Sequence, residues 1–160
     1  DILAGAFVVR ELQPWFANIG KRQVRSPKIY IRDSGILHAL LGLHGFAALE
    51  GHPKLGASWE GFAIEQAILA AGERNAYYWA TQAGAELDLL LVLRGRRYGV
   101  EAKYGDAPRL TKSMNVAMED LGLRKLYVLY PGSRRYLLGK KIEVLPLHDL
   151  LAEIGTLRGR

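Results

Sequence analysis

Apolar and polar positions along the chain follow two rhythms. Between Gly84 and Gly105 an apolar run, Leu87 to Leu93, is interrupted near its start by one carboxylate, Asp88, and Val100-Glu101-Ala102-Lys103 then alternates small apolar with charged residues. This pattern predicts two strands joined by a tight basic turn at Arg94, Gly95, Arg96 and Arg97. Residues two apart on a strand share a face, so Glu101 and Lys103 point one way while Val100 and Ala102 point into packing. Tyr77-Tyr78-Trp79-Ala80 predicts a strand by aromatic enrichment, and Lys125 to Tyr130 a buried strand stopped by Pro131-Gly132. A shorter pair is expected between Tyr136 and Leu145, around Gly139-Lys140-Lys141.

Helical spacing holds from Ala57 to Ala71, with Ser58 as the expected cap, Trp59, Phe62, Ala63 and Ala67 as apolar contacts, and Gly72 as terminator. Further helices are predicted at Ile36 to Gly42, at Pro108 to Leu121 and at Pro146 to Ile154, the last followed by a frayed tail through Arg160. Helix, three strands, helix, strand describes an α/β domain of three layers, with an antiparallel meander followed by a crossover helix. The helix at 57–71 can then lie across the sheet and bring one of its glutamates, Glu60 or Glu65, to Asp88 and Glu101.

Upstream, Phe7-Val8-Val9 with Glu11-Leu12 and then Lys28-Ile29-Tyr30-Ile31 predict two strands around a basic hairpin bearing Lys21, Arg22, Arg25 and Lys28. Such a wing suits phosphate contact, and equally a solvated loop. The stretch Gly45 to Leu55 reads as a connection. It divides the chain into residues 1–45, the tail of another module with a linking helix, and 46–160, the main domain. The chain opens on Asp1 in the middle of an apolar pattern, as a piece of a longer protein would.

Composition narrows the chemistry. The 160 residues carry 22 Lys and Arg against 16 Asp and Glu, a net charge of +6, and 49% are hydrophobic. That supports a proper core and tolerates a phosphate-rich partner. No cysteine is present, which excludes disulfide frameworks and thiolate metal sites and suits a reducing, cytoplasmic setting. No apolar run is long enough to span a membrane. Charges inside an otherwise apolar sheet then point to a metal-dependent phosphodiester-cleaving centre. Asp88 and Glu101 would offer hard oxygen ligands to Mg²⁺, and Lys103 would orient a water or neutralise charge on the phosphate. A strand end emerging into solvent accounts for the same alternation. A buried ion-pair network accounts for the same charges.

The order of elements, with acid on the first helix, Asp on the second strand and Glu-x-Lys on the third, resembles the PD-(D/E)XK nuclease superfamily, the restriction-endonuclease-like fold. Its Holliday-junction-resolvase-like branch is nearest in detail: Gly56 to Glu60 to Ala63, Gly84-Ala85-Glu86-Leu87-Asp88, and Val100-Glu101-Ala102-Lys103. The resemblance implies a core over about residues 55 to 131, Glu60 rather than Glu65 as the helix acid, and Glu60, Asp88 and Glu101 around Mg²⁺ or Mn²⁺, with Lys103 assisting. Glu86 would help to hold metal or repel it, and the later helix would add a polar residue from among Lys112, Ser113 and Asn115.

The segment Ser26 to Leu37 is similar to the link in prokaryotic AAA-type ATPases that carry a C-terminal domain of unknown function. That implies the end of a winged-helix segment in residues 1–32 and an ATPase module in cis, with ATP bound outside this sequence. The implied partner is DNA, with RNA left open, as is oligomer formation. A non-catalytic module binding nucleic acid or protein for the ATPase, through the basic wing and Arg94, Arg96 and Arg97, is the competing expectation.

Overall fold

A computed structural model of the chain describes residues 2–159. After a short turn of helix α1 (Ile2–Gly5), strands β1 (Val9–Leu12) and β2 (Lys28–Ile31) pair antiparallel. Helices α2 (Ser34–Leu40) and α3 (Phe46–Glu50) lead into the long helix α4 (Leu55–Ala71). Then come β3 (Ala76–Ala80), β4 (Glu86–Leu93), β5 (Arg96–Ala102), α5 (Lys112–Asp120), β6 (Lys125–Leu129), β7 (Tyr136–Gly139), β8 (Ile142–Leu145) and α6 (Leu147–Arg158). Among the described residues no helix is long and apolar enough to cross a membrane.

The main sheet runs β3-β4-β5-β6-β8-β7. Its first three strands form the expected antiparallel meander, and β6 joins β5 in parallel after the α5 crossover. One core cluster packs Ile64, Ala67 and Ile68 of α4 and Leu150 and Ile154 of α6 on Leu89, Leu91 and Val100. A second packs Met114, Ala117 and Leu121 around α5 on Leu87, Leu90 and Leu126. Helices therefore cover both faces, which is why these strands are nearly continuous apolar runs. At Gly99 the fit is closest, since a Cβ there would lie 2.8 Å from Leu123 Cδ1. The hairpin between β4 and β5 turns on Arg94 and Gly95, both at positive φ, as tight two-residue turns require.

Several element ends differ from the sequence reading. Ser58 does not cap α4, which begins a turn earlier; it is buried and bonded to His38 Nε2 at 2.7 Å. The connection between Gly45 and Leu55 contains α3. Helix α5 starts at Lys112 rather than Pro108, because the Thr111 hydroxyl accepts the Met114 N–H. Helix α6 continues past Ile154 to Arg158, whose Nη1 donates to Ala70 O on α4 at 2.6 Å. Of the tail expected to fray, Arg160 lies outside the described residues.

The β1–β2 hairpin is fastened to the main sheet. Backbone bonds link Trp15 N to Tyr78 O, Tyr78 N to Gln13 O and Val24 N to Ala80 O. Glu65 of α4, only 5% exposed, accepts a two-pronged contact from Arg10 of β1 and a further one from Arg32 at 2.9 Å. Burial alone would raise the Glu65 pKa, but the hydrogen bonds and charges of Arg10 and Arg32 outweigh it and hold the carboxyl below its ordinary range.

Removing one partner of such a pair strands the others. Glu65→Gln is expected to lose about 3 kcal/mol at pH 7, roughly 6–12 °C in Tm. Because the folded-state pKa is depressed, this contribution is full above the unfolded carboxyl range and disappears as pH falls through the folded value. Urea titrations at pH 7 and pH 3 should show the deficit of the variant shrinking in acid; a pH-independent deficit would refute the pairing account.

Candidate active site

The register of β4 changes where its carboxylate sits. Tyr77 faces Leu90 and Trp79 faces Leu87, so Asp88 and Leu89 together stand opposite Tyr78. This bulge breaks strict alternation, puts Leu87 and Leu90 in the same core cluster, and re-aims Asp88. Asp88 Oδ2 accepts the Ala102 N–H at 3.0 Å, just beyond the last paired residues, Leu89 and Val100. On the neighbouring strand Glu101 follows Gly99 by two residues. Lys103 Nζ lies 2.7 Å from Glu101 Oε2, and the Lys103 N–H still donates to Leu129 O.

Glu60, Asp88, Glu101 and Lys103 line one cleft of about 380 Å³, together with Lys28, Glu86, Thr111 and Ser113. Helical spacing alone allows either Glu60 or Glu65 to approach the strands, and the family resemblance selects Glu60. Five residues apart on α4, they part company: Glu60 joins the cleft and Glu65 is held by the arginines. Of the polar candidates on α5, Ser113 lines the cleft and pins the start of β4, accepting from Glu86 N at 2.8 Å and donating to Glu86 O at 2.7 Å. Lys112 lines the adjacent cleft, and Asn115 is exposed. The basic turn at Arg94, Arg96 and Arg97 lies at the other end of β4 and β5, about 20 Å of strand from Asp88.

Two residues of the cleft lining, Thr111 and Lys28, were not anticipated there, nor was Tyr30, which contacts Glu60. Lys28, expected among the phosphate-facing charges of a basic wing, instead points into the acids. Its Nζ lies 2.6 Å from Glu86 Oε1, 2.8 Å from Glu60 Oε1 and 3.4 Å from Asp88 Oδ1. The Tyr30 hydroxyl donates to Glu60 Oε1 at 2.7 Å. No local signal could have shown this, because the contacts depend on where β2 crosses the start of β4. Lys21, another of the wing residues, pairs with Asp120 at 2.7 Å. Arg22 and Arg25 line a separate cleft of about 490 Å³ whose lining contains no acid.

Burial dominates the electrostatics. Asp88 and Glu101 are 6% and 4% exposed. Desolvation, then the Glu60 charge, raises the Asp88 pKa against the pull of Lys28, the Ala102 N–H and Lys103. Desolvation, then the Asp88 charge, pushes Glu101 up to about 7 despite Lys103. For Lys28, burial opposes the charge, but Asp88 and the hydrogen bonds to Glu60 and Glu86 prevail and raise its pKa. The donors are all hard oxygens, the kind that Mg²⁺ and Mn²⁺ take. Among the described residues no three of them stand together in ligating positions; Lys28 reaches in between Glu60, Glu86 and Asp88.

A carboxyl with a raised pKa keeps its proton in the folded protein over a range where the unfolded chain has lost it. Stability therefore falls as pH climbs from the ordinary value, 4.5, to about 7. In buffer with chelator, Glu101→Gln should melt above the wild type beyond pH 7, by on the order of 1–3 kcal/mol, and the gap should close toward pH 5. An unchanging gap, or one of opposite sign, would contradict the burial argument.

Residues 55–150 match the family described as Domain of unknown function (DUF4143), and residues 1–46 that described as Domain of unknown function (DUF8612). Uncharacterized protein Rv2008c of Mycobacterium tuberculosis and uncharacterized protein Mb2031c of Mycobacterium bovis are each 52% identical over 151 residues, 94% of this chain. The chain spans about a third, 34%, of the length of these relatives. No solved structure is a significant match. With the family match running from the start of α4 into α6, and so across every strand of the main sheet, the chain belongs to the DUF4143 family.

Proposed function

We propose that this chain carries a Mg²⁺-dependent nuclease domain of the PD-(D/E)XK type, acting on DNA, within a larger AAA-type ATPase. One observation supports the reading above the others: Glu60, Asp88, Glu101 and Lys103, from a helix and two strands, line a single cleft. The topology agrees with it, since an antiparallel meander, a crossover helix and a parallel strand are the order that superfamily uses. In this reading residues 1–45 end a winged-helix segment, residues 46–160 form the nuclease-like domain, and ATP binds outside the chain. The greater length of the relatives is compatible with that arrangement.

Asp88, Glu101 and Glu60 would hold the cation. When bound, Mg²⁺ supplies Lewis acidity and positive charge to a scissile phosphate. The chain's own groups do the rest. Asp88 and Glu101 are buried and fixed, Asp88 by the Ala102 N–H and Glu101 by Lys103. The Lys103 side chain remains 42% exposed, so its ammonium can reach a phosphate oxygen or an attacking water from the solvent side.

A second reading has its own observation: each acid of the cleft already has a lysine within ion-pair distance. Such a network can be structural, serving a domain that binds nucleic acid or protein without cutting.

The intact protein, incubated with plasmid, linear and branched DNA and with RNA, separates the two. Cleavage should require Mg²⁺ or Mn²⁺ and fall at least about 100-fold in Asp88→Asn and Lys103→Ala, while folding is preserved by circular dichroism. No cleavage of any substrate by the wild type, or undiminished cleavage by both variants, would sink the nuclease reading.

A further inference from the structure

The Lys28 ammonium lies within ion-pair distance of two of the three carboxylates suited to a divalent cation. Its ammonium is 2.8 Å from Glu60 and 3.4 Å from Asp88, and Glu86 is 2.6 Å away on the open side. The side chain is held from its own strand as well: Tyr30, two residues on along β2, shares the same Glu60 oxygen and places its ring 5.4 Å from the ammonium. Lys103 is different, pairing with Glu101 alone and standing partly in solvent. Four carboxylates thus face two ammonium groups, a balance that leaves room for further positive charge.

An ammonium and a divalent cation cannot both occupy that position. Mg²⁺ binds carboxylate oxygens at about 2.1 Å, so an ion on Glu60 and Asp88 would sit within a few ångströms of the Lys28 nitrogen, where repulsion is strong in a half-buried cleft. Lys28 also belongs to the segment matched by the 1–46 family, whereas all four acids belong to the 55–150 family. We propose that Lys28 is a resident counter-ion of the acid cleft that competes with the divalent cation, so that the segment preceding the nuclease-like domain sets its metal affinity. Metal loading then drives the Lys28 side chain out toward solvent, and anything that draws β2 away from α4 favours loading. The inference rests on the metal-site reading of Glu60, Asp88 and Glu101.

Calorimetric titration of the full-length protein with Mg²⁺ or Mn²⁺ alone, without nucleotide, tests it. Lys28→Met and Lys28→Gln should bind at least about tenfold more tightly than wild type, and Asp88→Asn should abolish the heat assigned to this site. Binding by either Lys28 variant that is equal to or weaker than wild type would overturn the competition. In the wild type itself, the reactivity of Lys28 toward an amine-acylating reagent, read by mass spectrometry, should rise when Mg²⁺ is added. Reactivity unchanged or lowered, with metal bound and the signal dependent on Asp88, would overturn the Lys28 inference alone. If neither wild type nor variants take up Mg²⁺ or Mn²⁺ at an Asp88-dependent site, the metal reading falls and this inference with it.

Discussion

Two carboxylates buried in the middle of an apolar sheet are the constraint around which this domain is arranged. A carboxylate removed from water without compensation is far too unfavourable to persist as an ion. Here Asp88 and Glu101 occupy neighbouring strands, one between Leu87 and Leu89 and the other between Val100 and Ala102. The compensation comes from several directions at once. A backbone N–H at Ala102 points at Asp88, Lys103 reaches back over Glu101, and Lys28 arrives from a different sheet. The compensation is incomplete, since burial still holds both carboxyls above their ordinary range, and removing any one partner would raise them further.

Helix α4 shows the same physics with two outcomes. Glu65 is enclosed by guanidinium groups on Arg10 and Arg32, and its pKa is lowered; it is a fixed anchor between the hairpin and the core. Glu60, also reached from the hairpin, is partly exposed and meets the Lys28 ammonium and the Tyr30 phenol hydroxyl. Arginine holds a carboxylate through two parallel bonds and cannot readily be replaced by another cation, whereas lysine offers a point charge on a flexible stem. A permanent joint and an exchangeable one are therefore built five residues apart on one helix.

Much of this was legible in the sequence, and what was not has physical reasons. Strand order follows from local pattern: aromatic β3, apolar β4, alternating β5, crossover and β6 each carry their own signal, and a sheet covered on both faces needs such runs. The acids were legible because charge inside a buried strand has few explanations. The Asp88 bulge was hidden, since in Leu87 to Leu93 every neighbour is apolar and either register buries leucine. Helix ends shifted where a cap decided them: Thr111 caps α5, which starts at Lys112 rather than Pro108, and Ser58 is drawn into a buried contact with His38. Lys28 could not be found at all. In sequence it is one of several basic residues in a hairpin, and only the crossing of β2 over β4 separates it from Arg22 and Arg25.

That crossing bears on how the two family segments relate. The boundary between residues 46 and 55 is a natural break in the chain, with α3 and a turn between the two matches. The contacts ignore it. Backbone hydrogen bonds run from residues 13–24 to β3, the guanidinium groups of Arg10 in β1 and of Arg32 just after β2 grip α4, and Leu12 lies in the main core. A module joined this way cannot shift as a whole without breaking ion pairs whose partners are buried. Its lysine links, Lys28 in the acid cleft and Lys21 on Asp120, are made by point charges on flexible stems, unlike the arginine joints.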